Sequence, residues 1–292
     1  EVVYNTEEEF VVGVMYFQRK KGLRDDGLLY VIDYSAEKIS NFCSSFYKVK
    51  VYLLPHFTDL KKMIKQKQTM KSEFSEMEIT YLLFHSVNGL AELHKAGFTH
   101  KQISPEAIDM TNMEHRNPKL IHLDEEIGAT SRQVAYNNIF KNKDVYLAPE
   151  IFQRTPELTK TGNQLSFDEH KLDAFSLGMT ILHAGVGKPV QDCYDTKRYV
   201  FNDSNLSAHI NNFKNRYSGN LLLVDSLDRL LALDVDRRST AVSLQTELPG
   251  LEEINEYFQI TGDSFEDYNL IYPLSQDDKR NYQSALNYFA ST

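Results

Sequence analysis

The chain has 292 residues, with 32 Lys and Arg against 41 Asp and Glu, which gives a formal net charge of −9. This acidic balance argues against general binding to nucleic acid or to anionic membranes. No apolar run approaches the roughly 18 residues that a bilayer-spanning helix needs, so we expect no membrane insertion. The two cysteines, Cys43 and Cys193, imply no disulfide framework, and a cytoplasmic or other reducing intracellular compartment is expected.

The N-terminal segment is rich in residues that favour strands. Val2–Tyr4 and Phe10–Phe17 are mostly β-branched and aromatic, with a polar segment between them. This pattern predicts two strands joined by a turn. Residues 26–36 carry a mixed helical pattern, which predicts a short helix. Two further strands are predicted over residues 39–47 and 49–54.

A long helix is predicted in the next part of the chain. Apolar residues recur at helical spacing within residues 74–96, from Ile79 to Leu93. Gly97 is suited to the position just beyond the end of a helix. The pattern therefore predicts a long helix that leads directly into the segment Phe98–Ile108.

The segment Phe98–Ile108 resembles the catalytic loop of eukaryotic protein kinases, whose pattern is H-R-D-L-x-x-x-N. His100 stands at the histidine of that pattern and Lys101 at the arginine. Gln102 stands at the catalytic aspartate and Ala107 at the asparagine. The loop keeps the frame of the family, but both residues that take part in the chemistry are changed.

Three further motifs follow in the order that the kinase family has them. Val145–Glu150 matches the A-P-E motif, Leu172–Gly178 matches D-[VI]-W-S-[LF]-G, and Leu230–Thr240 matches L-L-x-x-D-P-x-x-R-x-[TS]. Thr58–Lys62 is similar to the segment after the hinge in the cyclin-dependent kinase branch. The resemblance implies an α+β, bilobal protein kinase-like fold, with a small β-rich N-lobe that lacks its first strand and a large α-helical C-lobe.

The same resemblance implies how the chain is divided. Residues 1–54 are expected to form a truncated N-lobe, residues 55–258 the C-lobe, and residues 259–292 a C-terminal extension. A loop insertion is expected around residues 155–170. Because the chain does not begin with Met, we expect it to be a fragment or a processed product.

The resemblance assigns structural roles to four residues that match the family. In kinases the A-P-E glutamate forms a buried ion pair with the arginine that Arg238 matches, so Glu150 and Arg238 are expected to pair. The aspartate that Asp173 matches ties a buried helix to the backbone of the catalytic loop. His100 is expected to share this structural role.

Four other positions carry residues that are unsuited to phosphoryl transfer. That reaction needs a lysine on the phosphates, carboxylate and amide ligands for Mg²⁺, and an aspartate that orients the acceptor hydroxyl. The resemblance places Met15, His122, Ala107 and Gln102 at those positions in turn. Met15 carries no charge, His122 is a poor ligand for Mg²⁺, and Gln102 cannot act as a general base. We expect no catalytic residue, no cofactor and no metal site.

The nucleotide pocket is expected to be vestigial. Gly13, Leu54 and Asp109 are the residues that the resemblance assigns to it. Asp109 stands where the family packs an apolar side chain under the adenine ring. An unpaired carboxylate buried against that ring would cost several kcal/mol, so Asp109 is expected to disfavour nucleotide.

These observations predict a catalytically inactive pseudokinase that acts as a scaffold, allosteric partner or structural subunit of an intracellular assembly, with protein partners. One alternative is a nucleotide sensor that binds ATP without turnover. Another is an unorthodox active Ser/Thr kinase, with Asp124 as metal ligand and a relocated lysine such as Lys20 or Lys21. For the N-terminal segment alone, an unrelated hairpin with Met15 in its core is a further alternative.

Overall fold

The computed structural model describes part of the chain, and Leu54, His122 and Asp124 lie outside that part. Most of the expected C-terminal extension, residues 262–292, lies outside it as well. The described residues are 2–23, 27–29, 31–41, 44–53, 58–110, 118–121, 144–157 and 167–261.

The described residues form a mixed α+β structure. In chain order the strands are β1 (Val2–Tyr4), β2 (Leu28–Leu29), β3 (Val31–Asn41), β4 (Ser44–Leu53), β5 (Ile108–Asp109), β6 (Lys119–Ile121), β7 (Tyr194–Asp195) and β8 (Val200–Phe201). The helices are α1 (Glu7–Lys21), α2 (Leu60–Met70), α3 (Glu76–Lys95), α4 (Pro149–Phe152), α5 (Glu169–Val186), α6 (Asp203–Arg216), α7 (Leu221–Leu230), α8 (Ala241–Gln245) and α9 (Leu251–Thr261).

The prediction of a strand over Phe10–Phe17 was wrong, because these residues lie in α1. The Thr6 hydroxyl accepts a hydrogen bond from the Glu9 backbone N–H at 3.3 Å and so caps the helix. Acidic residues fill the first turn and basic residues the last turn, which suits the helix dipole. The Thr6-x-x-Glu9 spacing is itself a helix-start signal, and it outweighs the β-branched composition that follows.

The predicted helix over residues 26–36 was also wrong. Residues 31–41 form β3, which runs antiparallel to β4 along almost its whole length. The last pair of this ladder is Asn41 with Ser44, earlier in the chain than the predicted break near residue 48. In β4 the side chains of Tyr47 and Val49 are buried at strand spacing, and this alternation continues through the predicted break.

The first sheet has the strand order β1-β4-β3, and α1 covers one of its faces. Tyr4 of β1, Phe17 of α1 and Val49 of β4 belong to one buried cluster there. A second small sheet has the order β2-β6-β5. It joins the segment after α1 to the strands that follow the catalytic-loop segment.

The predicted long helix is confirmed as α3. Ser75 and Glu78 form a reciprocal capping box at its start, which satisfies backbone N–H groups that a helix end leaves unpaired. Gly97 follows its end with a φ of 78°, in the left-handed region that glycine adopts without steric cost. The chain therefore turns sharply at Gly97 and enters the catalytic-loop segment.

The main core lies between α3, α5 and the shorter helices around them. Leu82 and Leu90 of α3 and Phe175, Leu177 and Ile181 of α5 have no exposed surface. Full burial of such a side chain is worth about 1.5–3 kcal/mol, so these two helices form a rigid support. Within the described ranges, no helix combines the length and the apolar character needed to cross a bilayer.

Candidate functional site

The catalytic-loop segment is anchored to α5 through one carboxylate. The backbone N–H of His100 donates to Asp173 Oδ2 at 2.7 Å, and that of Lys101 donates to Asp173 Oδ1 at 2.6 Å. His94 Nε2 lies 3.0 Å from Asp173 Oδ2. Lys101 has a φ of 64°, which is unfavourable for a residue with a Cβ. The two hydrogen bonds to Asp173 hold the loop in this strained conformation.

His100 connects the loop to the second sheet. Its Nε2 lies 2.8 Å from the Ile121 carbonyl oxygen, and its Nδ1 accepts from the Gln102 backbone N–H at 3.3 Å. Since Nδ1 is an acceptor, the ring proton is on Nε2 and is donated to Ile121. Burial lowers the pKa of His100 to about 4. The imidazole is therefore neutral near pH 7, and its two hydrogen bonds connect the loop to β6.

The loop then passes through the two positions where the family has its reactive residues. Gln102 is half-buried, and Ala107 is half-buried at the end of the 3-10 helix Pro105–Ala107. A primary amide does not take up a proton near neutral pH, and a methyl group is not a metal ligand. At these positions the donor set does not fit the Mg²⁺–nucleotide group of a kinase.

Asp109 lies in β5, and this strand pairs with β6. Asp109 also forms an isolated β-bridge with Asp59. The residue is 3% exposed. Met110 next to it donates its backbone N–H to the Thr58 carbonyl at 2.8 Å. The carboxylate is thus inside the protein, beside the segment that leads into α2, where the resemblance expects an apolar contact to the base.

The positions proposed for Met15 and Gly13 were wrong. Met15 lies on the solvent side of α1 with 59% of its surface exposed, so it occupies neither a strand nor a core. Gly13 faces the Tyr4 ring, and an added Cβ would lie 2.2 Å from the Tyr4 hydroxyl oxygen. Its small size serves the packing of α1 on β1 and not a nucleotide pocket.

Lys20 points from α1 into the protein and is 5% exposed. Its Nζ lies 5.0 Å from the centre of the Tyr16 ring, and burial lowers its pKa to about 7. Lys21, in contrast, pairs with Asp33 at 2.8 Å near the surface. The predicted strand did not indicate that Lys20 is buried and Lys21 exposed. The spacing of Gly13, Phe17 and Lys20 is nevertheless that of one helix face.

A triad of charges, Lys61, Glu106 and Asp144, joins three segments beside the loop. Lys61 of α2 hydrogen-bonds to Glu106 of the 3-10 helix and, at 2.8 Å, to Asp144. Burial alone would lower the pKa of Lys61, but hydrogen bonds to the two carboxylates outweigh it and raise the pKa to about 12. The pattern of Thr58–Lys62 alone does not predict the triad, because its members are far apart along the chain.

Glu150 and Arg238 form an ion pair that ties α4 to the segment after α7. Arg238 donates to both oxygens of the carboxylate, at 2.6 and 3.2 Å. It also donates to the carbonyl oxygens of Ala232 and Lys171. The guanidinium is fully buried and lies 4.8 Å from the centre of the Phe175 ring. The segment that ends in A-P-E is therefore fixed to the main core.

No family model matches the chain, and no curated protein matches its sequence. The structure is similar to the crystal structure of Rad53 residues 1–466 in complex with AMP-PNP, with a TM-score of 0.51 at 14% sequence identity. The match covers 82% of this chain and 55% of that chain. The fold is protein kinase-like. The α+β, bilobal architecture that the motifs implied is thereby confirmed, while an identity this low speaks to the fold alone.

Proposed function

We propose that the protein is a catalytically inactive pseudokinase that acts through protein partners, as a scaffold, allosteric partner or structural subunit. One observation carries the proposal. The loop is held by Asp173 and His100 in a fixed conformation, while the two reactive positions in it carry Gln102 and Ala107. A chain that keeps the support of a catalytic loop without its reactive groups is suited to a structural role.

The proposal extends to the organisation and location of the protein. The lobe boundary at residues 54 and 55 and the extension over 259–292 belong to it. An intracellular location also belongs to the proposal, as does the likeness of Thr58–Lys62 to the cyclin-dependent kinase branch. Function follows from sites and not from the fold, so the proposal rests on the residues of the loop.

A nucleotide sensor is the second candidate. In its favour, the similar Rad53 structure was solved in complex with AMP-PNP. Against it, Asp109 is buried where the resemblance expects an apolar contact to the base. An active kinase is a third candidate, and of its two relocated lysines only Lys20 points into the protein, since Lys21 pairs with Asp33 at 2.8 Å.

Thermal unfolding of the whole chain, titrated with ATP with and without Mg²⁺, separates these candidates. A ligand at about a hundred times its Kd adds about 2.7 kcal/mol of stability, which raises the unfolding temperature by roughly 5 °C for a protein of this size. The pseudokinase scaffold predicts no shift at millimolar ATP. A shift without Mg²⁺ would establish the sensor instead.

A Mg²⁺-dependent shift, together with phosphate transfer that disappears in Asp124→Ala, would overturn the proposal in favour of an active kinase. Transfer is measured with labelled ATP and a mixture of peptide substrates. An active protein kinase in the same assay serves as the positive control, so that an absent signal is informative.

A further inference from the structure

Three side chains with metal-binding atoms meet outside the catalytic-loop segment. They are Asp192 and Cys193 of the 3-10 helix Gln191–Cys193 and His209 of α6. The carboxylate oxygen, the sulfur and the imidazole nitrogen all lie within 4.8 Å of one another. We propose that Asp192, Cys193 and His209 bind a divalent transition-metal ion of the zinc type.

The distances suit a single ion. His209 Nε2 lies 2.8 Å from Asp192 Oδ1, and Cys193 Sγ lies 4.0 Å from the same oxygen. Tetrahedral zinc has bonds of about 2.0 Å to nitrogen and oxygen and about 2.3 Å to sulfur, so its ligand atoms are roughly 3.3–3.7 Å apart. Small side-chain rotations that widen the first distance and shorten the second would bring the three atoms to these separations.

The backbone that carries the ligands is fixed independently of any ion. Asn205 of α6 donates its side-chain amide to the Asp192 carbonyl at 2.7 Å. The backbone N–H of Asn202 donates to the Cys193 carbonyl at 2.8 Å. These bonds tie the 3-10 helix to the start of α6, the helix that carries His209. The ion therefore needs little reorganisation of the chain to bind.

The surroundings provide both access and attraction for a cation. Cys193 is buried, the His209 side chain is 12% exposed, and the Asp192 side chain is 55% exposed. An ion would enter from the Asp192 side, where Asp195 and Asp203 line an adjoining surface cleft. The carboxylates give this cleft a negative potential that concentrates cations.

The ligand types select the class of metal. A thiolate and an imidazole favour zinc and similar ions over Mg²⁺ or Ca²⁺, which prefer oxygen. On binding, a metal–sulfur bond replaces the Cys193 S–H bond, and the thiol proton leaves to solvent. His209 binds through Nε2 with its remaining proton on Nδ1. Three protein ligands leave one tetrahedral position for water.

The expectation of no metal site came from the kinase resemblance, which assigns no role to Asp192, Cys193 or His209. The ordinary alternative is an Asp192–His209 ion pair beside a buried structural thiol. Titration of the whole chain with Co²⁺, a spectroscopic substitute for zinc, separates the two. We expect one equivalent to bind with thiolate-to-cobalt charge-transfer absorption in the near ultraviolet, and zinc to displace it.

Variants locate the site. Cys193→Ser removes the charge-transfer absorption. His209→Gln, at a half-buried surface position, weakens Co²⁺ binding by about tenfold or more, because even the loss of an outer-shell partner of a ligand costs about 10–100-fold in metal affinity. Cys43→Ser, which changes the other cysteine, leaves both unchanged. Far-ultraviolet circular dichroism checks the fold of each variant. The proposal is overturned if the wild type shows no thiolate–cobalt absorption, if Cys43→Ser abolishes it, or if His209→Gln binds as tightly as the wild type.

Discussion

Asp173 holds Lys101 in a left-handed backbone conformation: its Oδ1 accepts the Lys101 backbone N–H at 2.6 Å while Lys101 has a φ of 64°. Its other oxygen accepts the His100 N–H at 2.7 Å. One buried carboxylate thus fixes two successive peptide groups, and the conformation of the loop depends on it.

Replacement of Asp173 should therefore destabilise the protein. In Asp173→Asn a neutral amide keeps one acceptor oxygen, so one of the two buried N–H groups is left without its partner. We expect a loss of roughly 2–4 kcal/mol in the free energy of unfolding, measured by urea denaturation. Asp225→Asn, at a side chain that is 70% exposed, is the control and should change stability by less than about 0.5 kcal/mol. Equal stability of both variants would contradict the role of Asp173.

Arg238 and its neighbour Arg237 provide a matched pair for a second test. Arg238 is buried and donates to both oxygens of Glu150, whereas the Arg237 side chain is 85% exposed. Arg238→Lys keeps the charge but loses the planar, two-pronged contact. We expect it to cost about 3 kcal/mol or more, and Arg237→Lys to cost less than about 0.5 kcal/mol. Urea denaturation of the two variants gives the comparison, and similar values would refute this account of the ion pair.

Gly89 of α3 is a position where alanine should not stabilise a helix. Glycine to alanine in a helix interior normally gains about 1 kcal/mol. Here an added Cβ would lie 2.1 Å from the carbonyl oxygen of Gly27, a backbone atom that cannot rotate away. We predict that Gly89→Ala lowers the thermal unfolding temperature by several degrees. Gly219→Ala, where no atom lies within 4 Å of the added Cβ, should leave it nearly unchanged, and a stabilised Gly89→Ala would show that this contact is not tight.

Two buried histidines should make stability depend on pH. Burial lowers the pKa of His100 and that of His183 to about 4, and for His183 the charges of Asp144 and Glu106 oppose burial without offsetting it. An unfolded histidine has a pKa of about 6.5, so the unfolded state takes up protons first as the pH falls. Stability is complete above about pH 6.5 and is lost between about pH 6.5 and 4, by roughly 2 kcal/mol per histidine at about pH 5.

Urea denaturation at about pH 7.5 and pH 5 measures this loss. His183→Asn keeps an acceptor for the Tyr146 hydroxyl, which lies 2.8 Å from His183 Nδ1, and removes the titrating group. The loss should then fall by roughly 2 kcal/mol, and His100 and the buried Lys20, whose pKa is lowered to about 7, contribute to the remainder. Identical stability of the wild type at the two pH values would count against the buried neutral histidines.

The motifs of the second half of the sequence predicted what the structure contains there. They predicted, together with the catalytic-loop segment, the kinase-like fold and the proximity of Glu150 to Arg238 and of Asp173 to the loop. Each of these depends on residue types in a fixed order, and such patterns persist when single reactive residues such as Gln102 have changed.

The N-terminal segment was misread because its composition and its capping signal disagree. Val11, Val12, Val14 and Tyr16 favour a strand, but the cap at Thr6 and the packing of one helix face against the first sheet decide the outcome.

In residues 31–41 the hydrogen bonds to β4, a later part of the chain, override the local helical pattern. Similarly, no local pattern brings His209 to Asp192, since the fold of the segment between them does so.

The triad of Lys61, Glu106 and Asp144 makes one end of a chain segment sensitive to ionic strength. Its three side chains are 48%, 47% and 35% exposed, so dissolved ions screen their attraction. Glu150, six residues after Asp144, forms an ion pair with the guanidinium of Arg238, which solvent does not reach. High salt therefore weakens the contacts of Asp144 while the ion pair of Glu150 persists, and the two ends of this segment respond differently to salt concentration.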